Sequence, residues 1–163
     1  IAIQAALTGH FVLSTIHATD ATSALHRFLD MGIESFLLAS SMLAVVGQRL
    51  IRRSCQACLV EYEPSTEDLA FYERAGMGEK KTFLRGAGCM ECSQTGYIGR
   101  IGVYEVLRVT DEMRDLIVRN ATLDEIRALA VEQGMVPMRD QALRLAADDV
   151  TTVAEVMRTI YIL

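Results

Sequence analysis

The chain has 163 residues, 51% of them hydrophobic, enough to bury one domain core or one core and part of another. Its net charge of −5 is scattered along the chain, so there is neither a basic footprint for nucleic acid nor a polybasic patch for a membrane surface. The longest apolar stretch, residues 36–46, is broken by Ser40 and Ser41 and is too short to span a bilayer, and no signal-peptide pattern is legible.

Residues 1–7 read as a helix with no cap, as though cut. Between His10 and His17 lie six mostly apolar, partly β-branched residues, the pattern of a buried strand; Thr19 and Asp20 follow as helix-capping residues. In parallel α/β sheets ligands bind beyond the carboxyl ends of strands, which places His17 toward a ligand and His10 at the far end. At about 3.3 Å per residue the two rings stand roughly 23 Å apart, too far to share one metal ion or phosphate. On position alone, His17 is either a phosphate-facing ring or a capped core histidine. Ala21, Ala24, Leu25, Phe28 and Leu29 recur at helical spacing up to Gly32, and His26 on that helix is expected to be exposed. A second helix is predicted from Ser35, carrying Phe36, Leu37, Met42, Leu43, Val46, Leu50 and Ile51 to the core and ending in Arg49, Arg52 and Arg53.

The texture changes at Cys55. Residues 55–104 hold two Cys-x-x-Cys pairs, a short predicted helix at 66–75 and glycine-punctuated turns, with too few apolar residues to fold alone. Cys55 with Cys58, and Cys89 with Cys92, make two knuckles that together close a tetrahedral four-sulfur site with no open position, the pattern of a structural Zn(2+); disulfides and free thiols are the alternatives. A redox role is disfavoured on the reading that neither pair follows a strand and opens a helix. Arg52 and Arg53 either offset the charge of such a centre or form a solvated helix end. Residues 96–102 read as a glycine-rich turn rather than a phosphate loop, and Val103–Val106 as a strand returning to the main body. The remainder is predicted helical, with Thr110 as a cap, capping boxes at Thr122 with Glu125 and Thr152 with Glu155, and breaks at Gly134 and Pro137. Ile126, Leu129, Leu143, Leu145, Val153, Val156 and Met157 are expected to form this tail's own core, so that metal loss would loosen residues 55–104 and leave the tail intact.

In order, the double-histidine run Thr8 to Ala21, the segments Arg27 to Glu34 and Gln48 to Arg53, both cysteine pairs and Gly99 to Glu105 resemble the type II secretion and type IV pilus assembly ATPases of the secretion NTPase superfamily. The chain departs from that pattern at Ala18-Thr19-Asp20-Ala21, where Thr-Asn-Asp-Ala is usual after the second histidine, and keeps both histidines. The resemblance implies an α/β fold: the carboxyl half of a RecA-like P-loop ATPase core with the histidine box at residues 1–54, a tetracysteine zinc insertion at 55–104 and a helical C-terminal subdomain at 105–163. The sequence contains no Gly-x-x-x-x-Gly-Lys-Ser/Thr loop, so the Walker A motif and an amino-terminal domain are expected upstream, and this piece alone is expected to be inactive.

For the whole protein the resemblance implies a hexamer using ATP and Mg(2+) to drive pseudopilus or pilus assembly. It would be cytoplasmic, held peripherally at the inner membrane by a platform protein, without direct nucleic-acid contact. His17 would meet the γ-phosphate, His10 a neighbouring strand, an adjacent subunit or the phosphate itself, Arg100 the base end of the nucleotide and Arg27 a subunit boundary. The four cysteines favour the assembly enzymes, because the retraction ATPases lack the tetracysteine insertion. A DNA-uptake ATPase of the same superfamily and a stand-alone zinc-stabilised interaction module are the alternatives.

Overall fold

The computed structural model describes residues 1–161 and mixes α-helices with short strands. In chain order the elements are α1 (Ala2–Leu7), α2 (Ala21–Asp30), α3 (Ser35–Ser41), β1 (Ala44–Ser54), a 3-10 turn at Gln56–Cys58, β2 (Leu59–Tyr62), α4 (Thr66–Arg74) and β3 (Phe83–Gly86). They continue with β4 (Tyr97–Arg108), α5 (Asp111–Val118), α6 (Leu123–Glu132), α7 (Met138–Ala147), α8 (Val153–Val156) and a π-helical turn at Met157–Tyr161. β1 pairs with β4, and β2 runs antiparallel to β3 with Leu59 opposite Gly86 and Tyr62 opposite Phe83. Two compact units form, one from Ile1–Gly47 and Glu105–Val136, the other from Gln48–Tyr104 and the described residues from Pro137 onward.

In the first unit, helices carry the core. Leu25 of α2, Leu38 of α3, Leu107 of β4, Met113 and Ile117 of α5 and Ile126 of α6 are all buried in one cluster. Their helices start where the sequence offers caps. Asp20 accepts from the Ser23 amide at 2.7 Å, Thr110 from the Met113 amide at 3.2 Å, and Thr122 and Glu125 form a reciprocal box. Gly32 follows α2 at φ +79°, the left-handed position a glycine takes without strain.

The second unit joins the cysteine-bearing segment to the end of the chain. Ile51 of β1, Tyr72 of α4, Phe83 of β3 and Val103 of β4 are buried with Ala142, Leu143 and Ala146 of α7 and Val153 and Val156 of α8. Tyr72 meets Phe83 edge to face with ring centroids 5.2 Å apart. Thr152 caps α8 as expected, but the Glu155 carboxylate does not turn back to close the box. It lies fully buried and receives Arg52 at 2.6 Å and Arg158 at 2.7 Å, and it also accepts the Arg52 backbone amide at 3.1 Å. Arg52 in turn stacks over the Tyr97 ring, 4.1 Å from its centroid.

Several expectations are corrected. Residues 10–18 form no strand; Phe11 and Leu13 are 76% and 83% exposed, and among the described residues no strand pairs with this segment to supply a ladder. The helix expected from Ser35 to Arg53 ends at Ser41, and Ala44–Ser54 is β1, with exposed Leu43, Val46 and Leu50. Burial along the first eight residues of β1 alternates residue by residue, the period of a strand whose partner, β4, lies about fifty residues on and is invisible to a local helical reading. Residues 97–102 belong to β4 rather than to a turn, with only Gly96 and Gly99 at positive φ. His26 is half-buried rather than exposed, and its Nε2 has no hydrogen-bond partner among the described residues.

The units also cut across the expected segments 1–54, 55–104 and 105–163, whose last two residues lie outside the described ones. The tail has no single core of its own: Ile126 and Leu129 pack in the first unit, Leu143, Val153 and Val156 in the second. Because α7 and α8 complete the apolar cluster that residues 55–104 cannot fill, a tail indifferent to the cysteine segment is not what forms.

Burial alone would raise the Glu155 carboxyl, but the bonds from Arg158 and Arg52 outweigh it and bring it down to about 2. A carboxylate depressed below its unfolded value stabilises fully above the ordinary carboxylate range and loses that contribution as pH falls toward the folded value. Glu155→Ala should therefore cost about 2 kcal/mol, below the usual loss for a broken buried pair because the half-exposed arginines rehydrate. Urea unfolding of wild type and variant should show that gap at pH 7 and its closure as pH falls from about 4.5 to about 2.

Candidate functional site

Each cysteine knuckle is built by backbone that its sequence makes available. β1 ends at Ser54, and across the 3-10 turn Gln56–Cys58 the Cys58 amide donates to the Cys55 carbonyl at 3.4 Å, with both sulfurs in one cluster. The second knuckle is closed by Ser93 and Gln94, two non-glycine residues at φ +51° and +64°, with the Gln94 amide bonded to the Cys89 carbonyl at 2.9 Å. Gly96 then joins the two. Its carbonyl accepts the Cys55 amide at 2.9 Å, its own amide points to Cys92 Sγ at 3.3 Å, and it lies against Gly86 so closely that a Cβ on either residue would strike the other's carbonyl oxygen.

The four sulfurs converge. Cys55 and Cys89 Sγ are 3.9 Å apart, Cys58 and Cys92 3.9 Å, Cys89 and Cys92 3.7 Å, and all four lie within 4.8 Å of one another, so they could hold a metal ion. None is in a disulfide. A tetrahedral ion with metal–sulfur bonds of about 2.3 Å requires sulfur–sulfur edges of about 3.8 Å, which the Cys55–Cys89, Cys58–Cys92 and Cys89–Cys92 spacings match. The amides of Gly88, Cys89 and Gly96 point at Cys58 and Cys92 Sγ at 3.1–3.3 Å, a donor set suited to thiolate rather than thiol. Burial, reinforced by the neighbouring sulfurs, pushes the Cys55 thiol up to about 12, and burial also raises Cys58. Burial opposes ionisation of Cys92 too, yet the Cys89 and Gly96 amides outweigh it and bring it down to about 6. With all four positions supplied by sulfur, such a centre cross-links the two knuckles and leaves no position for substrate.

Cys55 directly succeeds β1, which removes one objection to a redox pair; the next element, however, is a three-residue 3-10 turn and not the helix whose N-terminus activates such thiols. Arg52 lies on β1 rather than at a helix end, and its half-exposed guanidinium pairs with Glu155 and stacks on Tyr97.

The other candidate residues stand apart. His10 is exposed, its Nδ1 3.1 Å from Thr8 Oγ1; His17 is exposed four residues before α2; Arg27 is exposed in the last turn of α2; Arg100 is exposed on β4. Among the described residues no hydrogen bond or ion pair links these four side chains to one another. What sequence reading missed is the fixture at the start of α2. Glu105, only 6% exposed, accepts the Ala21 amide at 2.6 Å, and Asp20 accepts both the Ser23 amide and Arg127, the latter at 2.9 Å. A signal was available: Val103, Glu105 and Leu107 occupy alternate, inward positions of β4, and a carboxylate in that series needs a donor.

The family described as Type II/IV secretion system protein matches residues 1–158, and the chain belongs to it. The chain is 44% identical to the type II secretion system protein HxcR of Pseudomonas aeruginosa, over 97% of this chain and 30% of that protein. It is 41% identical to the type IV pilus assembly ATPase PilB of Thermus thermophilus, over 98% of this chain and 18% of that protein, and 38% identical to the type II secretion system ATPase E of Vibrio cholerae, over 97% and 31%. The chain thus spans less than a third of the length of these curated relatives. No helix among the described residues is long and apolar enough to cross a membrane.

Gly96→Ala adds a Cβ against the Gly86 carbonyl at φ +74°, whereas Gly76→Ala places one in open space at φ +72°. The first should cost about 3 kcal/mol, the second only the left-handed penalty of about 1 kcal/mol. Thermal unfolding of both variants, with thiol reactivity rising only in Gly96→Ala, checks that the close approach holds the knuckles together.

Proposed function

We propose that this chain is the carboxyl-terminal portion of an ATPase that couples ATP hydrolysis to assembly of a type II secretion pseudopilus or a type IV pilus. The observation that carries the reading is the match of residues 1–158 to the family, together with relatives named for secretion and pilus assembly. In this reading residues 1–54 continue the carboxyl half of a RecA-like core, and residues 55–104 are a metal-stabilised insertion whose apolar cluster is completed by α7 and α8. The whole protein works as a cytoplasmic hexamer with ATP and Mg(2+), docked to an inner-membrane platform protein. His17 meets the γ-phosphate, so that its presence or loss is felt by α2. His10, Arg27 and Arg100 serve an adjacent subunit, the subunit boundary and the base end respectively. The exposure of His17 supports this, since a capped core histidine would be buried. The sequence has no Walker A loop, so the 163-residue chain is expected to show no magnesium-dependent turnover.

In the full-length protein His17→Ala should lower kcat about tenfold while KM changes less than about twofold, because the contact senses phosphate rather than anchoring nucleotide. Steady-state ATPase assays decide it, and an unchanged kcat would return His17 to a structural role.

Zn(2+) is the ion proposed for the four cysteines, supported by an all-sulfur set of four converging donors. Its contribution is to folding. Protein purified under reducing conditions should carry about one zinc per chain, and Cys→Ser at position 55, 58, 89 or 92 should lose it. Hydrogen exchange should then quicken in α7 and α8 as well as in residues 55–104, because they share one core. Metal-free wild type with unchanged melting would refute the site.

A further inference from the structure

The first turn of α2 is held by three side chains from outside the turn's own backbone. Glu105 Oε1 takes the Ala21 amide at 2.6 Å, Asp20 Oδ1 takes the Ser23 amide at 2.7 Å, and Arg127 from α6 fixes the second Asp20 oxygen at 2.9 Å. A free helix N-terminus attracts phosphate through its unsatisfied amides and dipole. Here the amides of Ala21 and Ser23 are already taken by carboxylates and are not open to an anion. The start of α2 is therefore an anchor and not a phosphate cradle, and any phosphate contact in this stretch falls to the segment before it, where His17 lies three residues upstream of Asp20.

Resting on the sensing role proposed for His17, we infer that Glu105 is the positioning residue for His17: its buried carboxylate pins the Ala21 amide, and so the short connection Ala18–Asp20 leads away from a fixed point. An acceptor at this spot is needed twice over. It satisfies a buried amide, and it ties the residues that follow His17 to strand β4, which carries Glu105 on its inward face between Val103 and Leu107. The hydroxyl of a serine or the methyl of an alanine at 105 could not reach Ala21. Glutamine could, because its carbonyl oxygen occupies the same place without the charge.

The test uses the full-length protein and four variants: Glu105→Ala, Glu105→Gln, His17→Ala and Glu105→Ala combined with His17→Ala. Glu105→Ala should lower kcat about fivefold to tenfold with KM within about twofold, and Glu105→Gln should recover most of that loss. In the double variant kcat should equal that of His17→Ala within about twofold, because removing the positioner has no effect once the positioned ring is gone. Multiplicative losses in the double variant, or no recovery with glutamine, would overturn the inference while leaving the His17 role standing. An unchanged kcat in His17→Ala alone would overturn the sensing role and this inference with it. Circular dichroism melting of each variant identifies a loss that is only unfolding: a kcat decrease in Glu105→Ala that vanishes when assayed well below the variant's melting temperature would also overturn it.

Discussion

A fully buried carboxylate, Glu155, organises the second unit. It receives guanidinium groups from Arg52 on β1 and Arg158 after α8, together with the Arg52 backbone amide, so strand and terminal helix are joined at one point three residues before the first cysteine. Tyr97, at the start of β4, completes the fixture by lying under Arg52 and bonding its hydroxyl to Thr152, the residue that caps α8, at 2.8 Å. The carboxylate is costly alone, since unpaired it would lose its hydration without return. Together they fix where β1 ends, and hence where Cys55 stands.

The sulfur cluster depends on that placement and on a backbone contact that only glycine permits. Gly86 ends β3, and Gly96 precedes β4; their mutual approach leaves no room for a side chain on either. The approach brings the turn after Cys92 against the end of β3, which pairs with the strand after Cys58, and the amides of Gly88, Cys89 and Gly96 then converge on sulfur. A metal-binding donor set is thus preorganised by hydrogen bonds and close packing. The apolar side of the same segment is closed by α7 and α8, because Tyr72, Phe83 and Val103 are too few to exclude water unaided.

The first unit shows the same economy with charge. Helix α2 begins at a carboxylate of its own, Asp20, and a carboxylate from β4, Glu105, while Arg127 compensates Asp20. Favourable interaction of negative charge with the amino end of the helix is combined with satisfaction of amides that would otherwise be buried unpaired. The result is a rigid start for the helix that comes after the second histidine.

Local chemistry was legible in the sequence. Asp20, Thr110 and Thr122 cap the helices they precede, Gly32 ends α2, and four cysteines in two Cys-x-x-Cys pairs meet in one cluster. These features depend on residues within a few positions of one another, or on a ligand chemistry that has few other uses. The sequence also determined the family, because motif order survives without any knowledge of packing. Tertiary structure alone decided that Ala44–Ser54 is a strand, since its apolar residues fit a helix until β4, far along the chain, supplies the ladder. It alone left residues 10–18 without a ladder, divided the tail between two cores and turned Glu155 from its capping box to Arg52 and Arg158. In each case the deciding interaction joins residues distant in sequence, and pairing energy between such residues leaves no mark on the local pattern of either.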